Sequence, residues 1–105
     1  MNFEELGAKL GLEEDEYREL VQLFMTSGAA DFRNLTASLA DGDADAVMRK
    51  AHSIKGASGN LGLDDVYQTA GLIEKKAASG QLDDIEPLMA TMQSQFDAIE
   101  TLIRK

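Results

Sequence analysis

The chain has no cysteine, no tryptophan, one proline and one histidine in 105 residues. Without cysteine there are no disulfides, no thiol catalysis and no thiolate metal sites. A single histidine leaves too few donors for zinc, which takes several nitrogen or sulfur ligands. The acidic string Asp41-Gly42-Asp43-Ala44-Asp45 lacks the spacing and closing glutamate of a calcium loop, so no metal is expected in the chain. Cations are scarce too: 10 Lys+Arg stand against 19 Asp+Glu. The formal net charge of −9 argues against nucleic acid and anionic membrane as partners. No apolar run approaches the roughly 20 residues of a membrane span. The start, Met1-Asn2-Phe3-Glu4-Glu5, has neither the basic nor the apolar region of a secretion signal, and a cytoplasmic protein is expected. Nothing alternates with period two, and there is no repeat or low-complexity linker. One domain over residues 1–105 is expected, without a sheet.

What is present is helical periodicity. Asn2, with Glu5 three residues on, opens a short helix over residues 2–11 in the pattern of a capping box, and Gly11 ends it. Phe3, Leu6 and Leu10 would lie over one end of a bundle. A long helix is expected from about Glu13 to Ala40, with acids at its start. Tyr17, Leu20, Val21, Phe24, Leu35 and Leu39 form its buried stripe and Phe32 lies near it. Ser27-Gly28 interrupts the stripe, but the stripe resumes, so the helix is read as continuous. Gly42 closes it, and Asp43 caps a helix over 43–60 that Gly62 ends. Asp64 is expected to cap a helix over 65–79 carrying Val66, Ala70, Ile73 and Ala77. Asp83 or Asp84 is expected to cap the last helix, with Pro87 in its first turn. Ile85, Leu88, Met92, Phe96, Ile99 and Ile103 form its stripe. Amphipathic helices joined by short turns predict an all-α fold, an antiparallel four-helix bundle with a short N-terminal helix.

The histidine sits in the helix over 43–60. Val47, Ala51, Ile54, Ser58 and Leu61 recur at steps of four, three, four and three, a buried-face rhythm. His52 is turned about 100° from Ala51, at the border of that face or outside it. One turn later, where a side chain would cover the imidazole, stands Gly56, and Gly59 extends the bare strip. An interior glycine costs a helix about 1 kcal/mol relative to alanine, so two on one face suggest that something large approaches. Gly59 has a second explanation, a close contact between helices. Arg49, Lys50 and Lys55 lie within three residues of the histidine and make a positive spot on an acidic chain. Neutral imidazole is a nucleophile, and neighbouring cations stabilise an anionic group placed on it. A phosphoryl group fits that chemistry. A lone helical histidine is also commonly an ordinary surface residue.

The run His52-x-Ile54-Lys55-Gly56, followed by Leu61-Gly62, resembles the signature of histidine-containing phosphotransfer (HPt) domains. Small residues before the histidine (Ala51) and after it (Ala57, Ser58) belong to the match. The resemblance extends over essentially the whole chain, because the helix lengths suit the family. It implies that His52 accepts a phosphoryl group from an aspartyl phosphate on a response-regulator receiver domain and passes it to another receiver. A hybrid sensor kinase is a further candidate partner. Mg²⁺ is expected on the receiver and no cofactor on this chain, which would be a monomeric carrier without a kinase site of its own. Lys55 and Arg49 are the expected phosphoryl-stabilising cations. Met48, Gly56, Gly59 and Gln68 are assigned to access and partner docking. Some family members carry a glutamine near the phosphohistidine on the helix over 65–79. Gln68 is one candidate for that place and Glu74 the other, although a carboxylate there does not donate to phosphate. Two other readings differ in class. In one, a helical module binds receiver or kinase domains without phosphorylation, and Met48 matters while His52 does not. In the other, an independent hydrolase uses His52, but the sequence places no serine, cysteine or second base beside it.

Overall fold

The Asn2 side-chain oxygen accepts hydrogen bonds from the Glu4 and Glu5 amides and starts α1 (Phe3–Lys9). The computed structural model describes residues 2–105. Four longer helices follow: α2 (Glu14–Ala40), α3 (Ala44–Asn60), α4 (Asp64–Ala78) and α5 (Glu86–Arg104), with a single 3-10 turn over Leu82–Asp84. There is no strand among the described residues. The four long helices pack in the order α2, α3, α4, α5 around one core, and α1 lies on α2. The fold is the predicted helical bundle with a short helix at its N-terminus.

α2 runs through Ser27-Gly28 without a break. Gly28 is buried, and a Cβ there would stand 3.4 Å from the Phe96 ring. That glycine admits an aromatic from α5 and does not interrupt the helix. Phe96 in turn meets Phe24 edge-on at 5.9 Å between centroids and Phe32 at 5.6 Å. Gly42 and Gly62 take positive φ (70° and 73°) and close α2 and α3, a conformation that other residues adopt only with strain. Beyond α3, the amides of Gly62 and Leu63 return to the carbonyls of Gly59 and Ser58.

Several boundaries and two core positions differ from expectation: α1 ends at Lys9, and Leu10, expected on its apolar stripe, is exposed at the cap position. Asp64 is the first residue of α4, and the cap position is taken by Leu63, which is buried. Asp83 and Asp84 lie in the 3-10 turn, and α5 is entered through buried Ile85, with Pro87 in the first turn as predicted. In both places the chain enters the helix on an apolar anchor instead of a polar cap. Leu20 is exposed. The buried seam of α2 runs through Tyr17, Val21, Phe24 and Leu35. Leu20 stands one residue off that seam, turned about 100° from Val21. Leu39 and Phe32 are half-buried at its edge.

In α3, Val47, Ala51, Ile54 and Ser58 are all buried, as their spacing predicts. Ser58 satisfies its own hydroxyl by donating to the carbonyl of Ile54. Tyr17, fully buried, donates from its hydroxyl to the Leu61 carbonyl at the end of α3. That carbonyl lies among the helix-end acceptors that have no partner within the helix. Burial, with the nearby charge of Asp64, pushes the Tyr17 hydroxyl up to about 12, so it remains a donor throughout the physiological range.

Candidate functional site

The site lies where α3 meets α4. The two helices run antiparallel, and their facing residues step by the same intervals. Gly59, Lys55 and His52 descend α3 by four and three, while Tyr67, Gly71 and Glu74 ascend α4 by four and three. Each pair meets. The Tyr67 ring lies against Gly59, where a Cβ would come within 2.9 Å of it. Gly71 leaves room for the Lys55 stem, 3.8 Å from where a Cβ would be. The register then delivers Glu74 to His52.

Glu74 bridges the two basic side chains. Its Oε2 is 2.6 Å from His52 Nδ1 and its Oε1 is 3.2 Å from Lys55 Nζ. Desolvation of Glu74 pushes its carboxyl up, but hydrogen bonds from His52 and Lys55 and the charges behind them outweigh this and hold it below its ordinary value. The ionised carboxylate only accepts, so Nδ1 carries the ring proton in this contact. Nε2 is left to face outward with its lone pair when the ring is neutral. The His52 side chain is 71% exposed while that of Glu74 is 21% exposed, so an open imidazole rests on a sheltered anion. Lys55 Nζ also lies 5.7 Å from the Tyr67 ring centroid, a weak cation–π contact.

The other residues singled out from sequence fall differently. Gly56 is open: a Cβ there would meet nothing within 4 Å, so packing gives no reason for a glycine. Gly59 has the opposite environment, because Tyr67 covers it, and close helix contact accounts for it. Met48 is half-buried at the edge of the core. Arg49 turns from the histidine to Asp45, one turn back, with a 3.0 Å ion pair. Gln68 is exposed, makes no side-chain hydrogen bond among the described residues, and lies about 9 Å along the helix axis from Glu74. Glu74, not Gln68, stands against the imidazole. Tyr67, Gly71 and Asp31 had no sequence argument. Tyr67 shares the four-three face of α4 with Glu74, a signal that becomes visible once the facing residues of α3 are aligned with it. Asp31 of α2 accepts from Ser53, 3.3 Å away and next to the histidine, and only tertiary packing brings them together.

The surroundings limit the chemistry. The imidazole stands on the outside of the bundle. A groove of about 960 Å³ lies elsewhere, between α1, α4 and α5, and contains neither His52 nor Glu74. Among the described residues no cluster of three His, Cys, Asp or Glu side chains is placed to hold a metal ion, and no helix is long and apolar enough to cross a membrane. An exposed nucleophile with no enclosing cavity suits a reaction completed by a second macromolecule.

Known proteins share this fold. The Hpt domain family matches residues 19–102, from the first turns of α2 to near the end of α5. The crystal structure of histidine-containing phosphotransfer protein B from Pseudomonas aeruginosa is similar, with a TM-score of 0.79 and 32% identity, covering 94% of this chain and 86% of that one. No curated protein sequence matches. The family match takes in most of the chain, and the all-helical fold agrees with it: this protein belongs to the Hpt domain family, the histidine phosphotransfer proteins of phosphorelays.

Proposed function

We propose that His52 is the phosphoacceptor of this protein and that Nε2 is the acceptor atom. The observation that carries this is the sole histidine of the chain standing exposed, with Nδ1 engaged by Glu74 and Nε2 directed outward. The donor is the aspartyl phosphate of a response-regulator receiver domain, and a second receiver takes the group onward. A hybrid sensor kinase is the natural owner of the first receiver. In the transfer step the Nε2 lone pair attacks phosphorus. The N–P bond forms as the aspartyl O–P bond breaks, and its electron pair stays on the aspartate carboxylate. Nδ1 keeps its proton, so the ring becomes an imidazolium facing the Glu74 carboxylate. Mg²⁺, held in the receiver's aspartate pocket, neutralises the oxygens of the phosphoryl group.

Lys55 is within reach of the same oxygens and exchanges Glu74 for them when the group arrives. Arg49, paired with Asp45, plays a smaller part. Gly56 leaves the imidazole uncovered for the receiver's loops, and Met48 borders the docking face. The chain acts as a carrier without a kinase site of its own, in the cytoplasm and as a monomer.

The test is transfer from a phosphorylated receiver domain in the presence of Mg²⁺, following acid-labile, base-stable phosphate. Label is expected on the wild type and none on His52→Gln. Label on the variant, or none on a folded wild type with several receivers, overturns the assignment. Binding without label favours a module that docks receivers without phosphorylation.

A further inference from the structure

We infer that Glu74 is a positioning residue for release as well as for loading: it holds the Nδ1 proton on the phosphorylated ring and thereby keeps His52 a fast phosphoryl donor. This inference rests on His52 being the acceptor.

Once Nε2 is bonded to phosphorus, the ring exists in two forms. With Nδ1 protonated it is a cation, and loss of the phosphoryl group returns a neutral imidazole. With Nδ1 bare, the same departure leaves an imidazolate, a far poorer leaving group. Phosphoryl transfer proceeds through a loose transition state, so leaving-group quality bears directly on the rate. The lifetime of the phosphohistidine therefore depends on what faces Nδ1. In this protein that is a carboxylate oxygen at 2.6 Å, on a side chain only 21% exposed. A bare Nδ1 would put a lone pair against an acceptor that has no proton to offer.

The other charges near the ring alter this little. Lys55, on the same helix, opposes the proton, but it is held by the far oxygen of Glu74 and is the side chain that the phosphoryl oxygens draw away. Arg49 is turned to Asp45. From α2 the facing charge is Asp31, engaged by Ser53, and it too favours a cation. The two negative charges of the phosphoryl group add in the same direction. Loading and release then balance without a proton entering or leaving: Nδ1–H is kept while the N–P bond forms to one receiver's phosphoryl group and breaks toward the next receiver's aspartate. A glutamine at position 74 has nearly the same shape but no charge, and its amide can turn to accept from Nδ1–H or to donate to a bare Nδ1, so it no longer favours the protonated ring.

The test compares the wild type with Glu74→Gln and Glu74→Asp after loading each with phosphoramidate, a small donor that needs no partner protein. Nitrogen-15 resonances follow Nδ1 between pH 6 and 9.5, and delivery to a receiver with Mg²⁺ is timed at pH 6 and at pH 8.5. In phosphorylated Glu74→Gln the proton is expected to leave about 1 to 3 pH units lower than in the wild type. Its delivery should be slower at pH 8.5, by up to about tenfold for each pH unit of the shift, the full factor being reached where both midpoints lie below that pH. At pH 6 the two rates should converge. Glu74→Asp keeps a carboxylate and should move both readouts back toward the wild type. Equal Nδ1 midpoints in wild type and Glu74→Gln, or no recovery in Glu74→Asp, overturn the role of Glu74. Equal loading of His52→Gln by phosphoramidate overturns the acceptor assignment instead, so the two failures are distinguishable.

Discussion

The C-terminal end of α3 and its middle are held against α4 by opposite means. At the end, the Tyr67 ring presses on Gly59, while from α2 the buried Tyr17 hydroxyl closes the Leu61 carbonyl. At the middle, a polar bridge from Glu74 to His52 and Lys55 stands partly in water. Close packing tolerates few side chains and fixes where one helix stands along the other. The polar bridge adds little to that register but depends on it, because a slide of one residue along α4 would carry Glu74 away from the imidazole. The first region is built to stay the same. The second, on the proposed function, exchanges partners.

The sharpest way to break this contrast is to disturb the packed end. Gly59→Leu forces the Tyr67 ring out and should destabilise the protein by about 1 to 3 kcal/mol, read from urea unfolding. Loss of the close approach should also weaken the His52–Glu74 contact, seen as a changed imidazole NMR shift. Next, Tyr17→Phe leaves the Leu61 carbonyl without its donor and should cost about 1 to 2 kcal/mol, with phosphotransfer unchanged. A phosphotransfer defect there would show that the two regions are coupled. Gly56→Ala, on the same helix but in open space, should do the reverse of Gly59→Leu. It should stabilise by up to about 1 kcal/mol through helix propensity, while transfer from a receiver slows. Two glycines three residues apart are thus expected to respond with opposite signs.

The smallest effect concerns pH. The folded state holds the Glu74 carboxyl below its ordinary value of 4.5, so the stability it contributes is fully present above that value and is lost as pH falls through the lowered one. The wild type should therefore lose more stability than Glu74→Gln between pH 6 and pH 3. Parallel declines in the urea midpoints of the two proteins would remove Glu74 from the acid response.

How much of this was legible in the sequence follows from the kind of interaction involved. The seam Val47, Ala51, Ile54, Ser58 was readable because burial of one helical face leaves a periodic trace. The place of Gly56 one turn beyond His52 was readable because it depends on one helix alone, whereas its being left uncovered depends on the neighbouring helices. The start of α4 was misplaced because Asp64 resembles a cap while burial of Leu63 sets the entry, and burial is a property of the whole fold. Gly59 was legible only as a pair of alternatives, and Tyr67, a residue of another helix, decides between them. The choice between Gln68 and Glu74 required the register of α4 on α3. The pairing of Arg49 with Asp45 is a local four-residue contact that the sequence already contained, and it competes with the phosphoryl role assigned to that arginine.

The outward placement of Nε2 has a consequence for traffic. With His52 as the acceptor, one nitrogen on an exposed face serves both the partner that brings the phosphoryl group and the partner that takes it, and two domains cannot occupy it together. Loading and unloading must alternate, and an emptied donor that lingers blocks delivery as surely as an inhibitor. The pace of such a carrier is then set by how readily its visitors leave, which favours brief encounters over tight ones.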